Sequence, residues 1–250
     1  MVVCMKRQRL KILTWNMGGF AYRNKQAEAW RHLAGVLKPD IALLQEVPCA
    51  PPRLSPENGS VLAYHGKKYG TAIFAAPDFV ETVSPHEMAA FCSSRLYISA
   101  VDVLGFADPL VLMSVHVYPG NAQKGHLRML TEVLEQARRS KPVIVGGDFN
   151  ACRHYDLVYK RNAYRWFFEE MERIGFVDCH YRLHHREKQS YWSKRTKEPY
   201  QDDHFFAPED WASRIVSCDV LSYDPVSGIS DHSPVELVMN LPKLTGSNAA

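Results

Sequence analysis

Gly147-Asp148-Phe149-Asn150 follows the apolar run Val143-Ile144-Val145 after one further glycine. A short run of β-branched residues reads as a buried strand. Its end therefore brings a carboxylate and a carboxamide to a sheet edge, alternating around Phe149. One of them can take a proton or hold a metal, and the other can donate to an oxyanion. Three more polar sets stand at the ends of apolar runs: Asn16, Gln45-Glu46, and Ser230-Asp231-His232-Ser233-Pro234.

The elements that must position these groups are legible as hydrophobic periods. Strands are expected over 10–15, 41–45, 69–75, 96–103, 110–116, 143–147 and 235–239, with shorter ones over 190–193, 203–206 and 215–222. Lys25 to Leu37 carries Ala27, Trp30, Leu33, Ala34 and Leu37 at helical spacing, then Pro39-Asp40 breaks it. Helices are also expected over 124–139 and 162–174. Val47 to Ser60, rich in Pro, Ser, Asn and Gly, reads as a loop. Many strands interspersed with few helices give an α/β (α+β) class and suggest two packed sheets with helices outside. There is no internal repeat and no linker long enough to mark a boundary. A single domain over 1–250 is expected, with its core over about 10–240 and a small polar tail, 245–250, expected to be disordered.

The 250 residues are enough for one large core. Hydrophobic content of 46% and charged content of 23% are those of an ordinary globule. The net charge of +3 permits a polyanionic substrate without arguing for one. Six cysteines without a CxxC pair form neither a zinc pattern nor a disulfide framework, which favours free thiols. No apolar run reaches membrane-spanning length. The cationic N-terminus lacks the apolar stretch of a signal peptide, so a cytoplasmic location and a monomer are the default expectations.

Thr14-Trp15-Asn16, Gln45-Glu46, Gly147-Asp148-Phe149-Asn150, Asp203-His204-Phe205-Phe206 and Ser230-Asp231-His232-Ser233-Pro234 occur in that order. The chain thereby resembles the endonuclease/exonuclease/phosphatase superfamily, which includes deoxyribonuclease I and exonuclease III, from about Leu10 to Met239. The resemblance implies a four-layered αββα sandwich, a site at one edge, and cleavage of phosphate esters that depends on Mg²⁺ or Mn²⁺. A hard dication neutralises phosphodiester oxygens and takes oxygen ligands, often one or two carboxylates plus water and phosphate. Glu46 is the first choice as metal ligand; by resemblance Asn16 helps hold the metal or its water shell, and Asp231 lies beside it. For an isolated Gln-Glu pair, a surface carboxylate after a strand is the plainer reading.

Asp148 is expected to orient or deprotonate the attacking water. Asn150 cannot titrate and suits hydrogen bonding to the transition state. The alternative for both is a strand-end turn in which Asp and Asn satisfy the backbone. His232 needs a partner that fixes its ring and favours its charged form. The resemblance supplies Asp203, with the neighbouring Asp202 as a competing carboxylate. His116 and Tyr118 compete for a phosphate contact at the end of the 110–116 strand, and a hydrogen-bonded core histidine is an equal reading of His116. Arg128 is a candidate phosphate contact, although an exposed helical Arg is usually solvated.

Arg182 to Lys197 is the most basic stretch, with Tyr191 and Trp192 in its middle and Lys194 and Arg195 just beyond. Cations interleaved with aromatics suit a nucleic-acid backbone and its bases. The plainer reading is a solvated hairpin with Trp192 in the core. These features imply a nuclease acting on DNA or RNA. The alternatives are a phosphoesterase acting on a phospholipid, a phosphoinositide or another phosphate ester, and an inactive binding module. Inositol polyphosphate 5-phosphatases share the opening Trp15-Asn16-Met17-Gly18, but their Asn-Tyr-Arg and Trp-Cys-Asp-Arg motifs are replaced here by Asn150-Ala151-Cys152 and Gln201-Asp202-Asp203-His204. Sphingomyelinase-like members are usually exported, and no export signal is visible. Gln201-Asp202 also replaces the Arg-hydrophobic pair usual in repair nucleases, which argues against abasic-site specificity.

Overall fold

The computed structural model describes residues 7–48, 56–86, 96–192 and 197–243. Two six-stranded mixed sheets face one another. The first contains β1 (Arg7–Asn16), β2 (Ile41–Pro48), β3 (Ser60–Gly66), β4 (Tyr69–Ala75), β11 (Ile215–Val220) and β12 (Val235–Pro242), in the order β11-β12-β1-β2-β4-β3. The second contains β5 (Val83–Pro85), β6 (Leu96–Val103), β7 (Leu110–Val117), β8 (Val143–Asp148), β9 (Phe176–Asp178) and β10 (Asp203–Pro208), in the order β5-β6-β7-β8-β10-β9.

Each sheet is built around one parallel pair, β1 with β2 and β7 with β8, flanked on both sides by antiparallel neighbours. A parallel pair needs a crossover connection. The first crossover carries α1 (Gln26–His32) and the second α2 (Gln123–Arg138). Both pairs therefore end at one edge of the sandwich, where open α/β sheets place their ligand sites.

Alternation along β1 shows how the layers are specified. Leu10 and Ile12 enter the core between the sheets, whereas Leu13 and Trp15 pack outward with Trp30 and Leu33 of the first crossover. A third cluster joins the outer face of the second sheet to α2 and α4 (Arg165–Arg173) through Leu127, Leu130, Leu134, Phe167 and Met171. The result is the four-layered αββα sandwich. Near the site edge the inter-sheet core turns polar: the Gln45 amide donates to Ser114 Oγ (3.0 Å) and Thr14 Oγ1 (3.1 Å), so both sheets are pinned there by satisfied buried groups.

Several expectations are corrected. The helix over 25–37 is α-helical only to His32; Leu33–Leu37 widens into a π turn that ends at Lys38 in the left-handed region. Gly35 and Val36, weak helix formers, lie in that turn. The 47–60 segment is less of a loop than its composition suggests: β2 runs to Pro48 and β3 begins at Ser60, while 49–55 lies outside the described residues. The strand expected over 190–193 reduces to an isolated bridge between Tyr191 and His232. Two short helices were not legible, α3 (Arg153–Tyr159) and α5 (Cys179–His184). α3 buries none of its side chains and so has no apolar stripe to reveal it.

Cys152, Cys179 and Cys218 are free and buried. The other three cysteines, the 245–250 tail, and Lys194 and Arg195 lie outside the described residues. Among the described residues no helix is long and apolar enough to cross a membrane.

Candidate active site

Sheet register builds the site. Across the end of the second sheet, Tyr97 of β6, His116 of β7, Asp148 of β8 and Asp203 of β10 stand in one transverse row. The first sheet contributes Asn16 and Gln45, paired at the ends of β1 and β2. Gly147 lets β8 lie close to β7, since a Cβ there would fall 1.9 Å from the Val115 carbonyl oxygen.

Asp148 is buried and accepts three hydrogen bonds. Its Oδ1 accepts from the Asn150 backbone N–H and side-chain Nδ2 (2.9 Å each), and its Oδ2 accepts from Asn16 Nδ2 at 2.9 Å. Asn150 adopts a left-handed φ of 50°, which Asn tolerates, and its Nδ2 also donates to the Val117 carbonyl at 3.0 Å. Asn16 thus ties the two sheets together at the site.

Glu46 also has a left-handed backbone, φ 54°, where the β2–β4 register slips between Leu44 and Val47. Such a bulge re-aims a side chain, and backbone strain held in place by its surroundings is a mark of function. The Glu46 Oε2 accepts from the Phe20 N–H at 3.0 Å.

The 230–233 loop is strapped from both sides. Ser230 Oγ donates to the Asn16 carbonyl (2.7 Å) and accepts from the His232 N–H (2.9 Å). Trp15 Nε1 donates to the His232 carbonyl at 3.0 Å. On the other side Trp192 N–H donates to the Asp231 carbonyl (2.8 Å) and Ser233 N–H to the Ser190 carbonyl (2.7 Å). His232 Nδ1 then lies 2.8 Å from Asp203 Oδ2, and its Nε2 lies 3.9 Å from Asp148 Oδ2. Asp203 Oδ2 also accepts from Ser190 Oγ at 2.8 Å, while its Oδ1 is buried without a partner. Of the two neighbouring carboxylates, Asp203 is thus the one that touches the imidazole.

The electrostatics follow from this packing. Burial alone would push His232 down, but Asp203, its hydrogen bond and Asp148 outweigh that and hold the imidazole well above its usual value. Burial pushes Asp148 well up, reinforced by Asp203 and Asp202 and opposed by His232 and the Asn16 bond. Burial, and then the charge of His232, push His116 down to about 3, which leaves it neutral. Burial also raises Asp202, to about 7.

Most sequence-predicted residues converge here. His116 Nε2 is 3.6 Å from Asp148 Oδ2, its Nδ1 is buried without a partner, and its ring stacks on Tyr118 at 4.4 Å. Burial raises the Tyr118 phenol to about 12, and the Glu46 charge adds to it. The Tyr191 ring lies 4.9 Å from that of His232. The Asp231 charge bears on His232, Tyr22 and Tyr223.

Two readings are corrected. Trp192 is not a core residue: it is 37% exposed and stacks on Tyr223 at 4.5 Å, with Nε1 donating to Ser233 Oγ (3.1 Å). Arg128 is not brought to the site. Its guanidinium lies over Trp166, 5.7 Å from the ring centroid, in a surface groove shared with Glu132 and Glu169. Ser190 and Ser230, the hydroxyls that hold Asp203 and the His232 loop, were legible only as members of the motifs that carry them.

By resemblance Glu46, Asn16 and Asp231 are the expected metal-holding residues, and they offer the oxygen donors that Mg²⁺ and Mn²⁺ prefer. A second grouping, Asp148, Asp203 and His232, brings ligand atoms within 4.8 Å of one another, and includes the unpartnered Asp203 Oδ1.

Two sheets with helices outside, carrying Asp, Asn, Glu and His at one edge, define a deoxyribonuclease I-like sandwich. The profile of the Endonuclease/Exonuclease/phosphatase family matches residues 13–232, and the chain belongs to that family. No curated protein matches it in sequence. Among solved structures it is similar to the AP endonuclease LMAP from Leishmania major, with TM-score 0.71, 20% identity, and 94% of this chain and 89% of that chain covered. It is also similar to the 3′ phosphatase NExo from Neisseria bound to a product DNA hairpin (TM-score 0.67, 18% identity, 91% and 98% covered). The third is TDP2 from D. rerio complexed with single-strand DNA product (0.66, 18%, 93% and 99%).

Proposed function

We propose that this chain is a divalent-metal-dependent nuclease that hydrolyses DNA or RNA phosphodiester bonds by in-line attack of water. The observation that carries the reading is the His232–Asp203 pair facing Asp148 across a gap of 3.9 Å. A charged imidazole, fixed by one carboxylate, stands beside a second carboxylate, which is the pairing that phosphoryl hydrolysis needs. DNA-bound neighbours of the same fold support a nucleic-acid substrate.

In this mechanism Asp148 holds the attacking water and accepts its proton. His232, kept protonated by Asp203, hydrogen-bonds a nonbridging phosphate oxygen and opposes the charge that develops there. Asn150 positions Asp148 and adds a neutral donor. His116, being neutral, or Tyr118 contacts a second oxygen. Glu46, with Asn16 and Asp231, would hold the metal, and a bound metal would supply charge neutralisation of the phosphate. Tyr191 and Trp192 line the approach, and Lys194 and Arg195 add phosphate contacts.

The test is incubation with supercoiled plasmid and with DNA and RNA oligonucleotides, in Mg²⁺, in Mn²⁺ and in chelator, beside Asp148→Ala. Metal-dependent cleavage lost in the variant is the expected result. Turnover of phospholipids or phosphoinositides with no cleavage of any polynucleotide would overturn it.

A further inference from the structure

At the end of the catalytic row away from Asp203, the gap between the sheets continues toward β3 and β6. Its floor is polar and pinned: Thr71 Oγ1 of β4 lies 2.9 Å from Ser99 Oγ of β6, beside the Gln45–Ser114 bond. Side chains alternate along a strand, so the next groups outward on these faces are Tyr97 and His116. Their rings belong to a continuous line. His116 stacks on Tyr118 at 4.4 Å, Tyr118 meets Tyr97 at 5.7 Å, and Tyr97 meets His65 of β3 at 6.3 Å. A second line runs along the first sheet. The Phe20 ring meets Tyr69 of β4 at 6.1 Å, and Lys68 Nζ lies 5.9 Å from the Tyr69 ring centroid. Both lines end on one hairpin, 65–69, whose Lys67 and Lys68 are exposed. Tyr97, Tyr118, His65 and Tyr69 are each half-buried, so they keep part of their surface open. Phe20 is 72% exposed, yet its loop is fixed: its N–H donates to Glu46 Oε2 at 3.0 Å. Gly19 packs so closely that a Cβ there would fall 1.8 Å from the Glu46 carbonyl oxygen. A phenyl ring held out in water beside Glu46 is not there to fill a core.

We propose that this extension of the cleft is a track for an unpaired nucleic-acid strand, whose bases stack on the rings while Lys67 and Lys68 take its phosphates. The inference rests on the nuclease reading above and names the form of substrate that the same site selects. Aromatic faces interleaved with cations grip single strands without regard to sequence, because every base has a face to stack. A paired base keeps its faces on its neighbours and cannot offer them. Packed sheets stand about 10 Å apart, so one strand can enter between these walls, whereas a double helix can only rest on the rim. Neighbouring strands of a sheet lie about 4.8 Å apart, which puts Tyr97, two strands from Asp148, roughly 10 Å along the second sheet. A base on Tyr97 therefore belongs to a nucleotide close to the scissile phosphate. Because the Phe20 loop is held in place beforehand, little ordering is needed when a base arrives.

The test measures binding by fluorescence anisotropy in chelator, where no turnover occurs. The probes are a labelled short oligothymidylate and a labelled blunt duplex of the same length. The wild type is compared with Phe20→Ala and Tyr97→Leu, after the fold of each is verified by circular dichroism and melting. Phe20→Ala alters only an exposed side chain, so it decides the matter even if Tyr97→Leu does not fold. The wild type is expected to bind the single strand about tenfold or more tighter than the duplex. Each variant is expected to lose about tenfold on the strand and little on the duplex. Equal wild-type affinity for strand and duplex would overturn the track, as would wild-type strand affinity kept by either folded variant. Cleavage of a polynucleotide in Mg²⁺ by the wild type would in those cases leave the nuclease reading standing. Selective strand binding that is lost in the variants, with no polynucleotide cleaved by the wild type, would keep the track and sink the nuclease reading instead.

Discussion

Asp203 stands directly opposite Asp148 in the β8–β10 ladder, and its Oδ2 reaches past that neighbour to His232 Nδ1 at 2.8 Å. Two carboxylates that would repel each other are thus separated by an imidazolium that serves both.

Asp203→Asn keeps the hydrogen-bond shape but removes the charge that raises His232. The imidazole pKa then falls, so its protonated form is lost at lower pH. The alkaline limb of the pH–rate profile moves toward acid, and turnover at neutral pH drops by about 10²–10⁴. Steady-state rates across pH, with an NMR titration of His232, check both parts. An unchanged alkaline limb would separate His232 from catalysis.

Asp148→Ala and His232→Ala remove the groups proposed to act on the reacting phosphate while the straps on the 230–233 loop remain, since those run through Ser230 and the backbone. Each variant is expected to fold and to lose about 10²-fold or more in turnover. Near-normal rates in either would take that residue out of the mechanism.

Glu46 is held by its bulge with Oε2 on the Phe20 amide. Mg²⁺ or Mn²⁺ is expected to raise the melting temperature of the wild type, as binding to the native state must, by about 2.7 kcal/mol of stability at a hundredfold excess over Kd. Glu46→Gln should lose most of that gain. Calorimetric melts with and without metal read the effect without any substrate, and an equal gain in the variant would place the metal elsewhere.

A second buried ionic group acts on stability alone. Asp178 Oδ2 lies 3.1 Å from His204 Nδ1 and 2.7 Å from Arg153 Nη1, while His204 Nε2 faces the carbonyls of Ala151 (2.9 Å) and Gln201 (2.8 Å). Acceptors at both ring nitrogens hold the imidazole protonated. Although burial opposes each charge, His204 and Arg153 push Asp178 down and Asp178 pushes His204 up. The Asp178 contribution is present above its ordinary 3.8 and fades as pH falls toward its lowered value. The His204 contribution is complete below its ordinary 6.5 and fades as pH rises through its raised value. Asp178→Asn should therefore cost about 3–5 kcal/mol, most in the window between those two values, by denaturant melts at several pH values. A penalty that is constant with pH would contradict the charged pair.

What the sequence made legible were groups fixed by strand ends. Asn16, Glu46, Asp148 and Asn150 each follow an apolar run, so the strand that buries the run also delivers the polar residue to the edge. Asp203 and His232 could be paired only through the order of motifs, because 29 residues separate them and the contact is made in three dimensions. The core reading of Trp192 fails because hydrophobicity does not say whether an indole packs in a core or stacks on a surface tyrosine. Arg128 was misplaced because helical position fixes a face but not the reach of a long side chain, and Trp166 on a neighbouring helix lies under that guanidinium. The carboxylate of Asp202 could not be told from that of Asp203 until the ladder set which one meets the imidazole.

β1 pairs with β12, and the loop that carries His232 is pinned by the indole of Trp15 and, through Ser230, by the carbonyl of Asn16. β1 and β12 must meet before His232 has an address. A chain cut short after residue 228 would carry Glu46 and Asp148 but not the loop that holds His232. The fold thereby ties the placing of His232 to the closing of the first sheet.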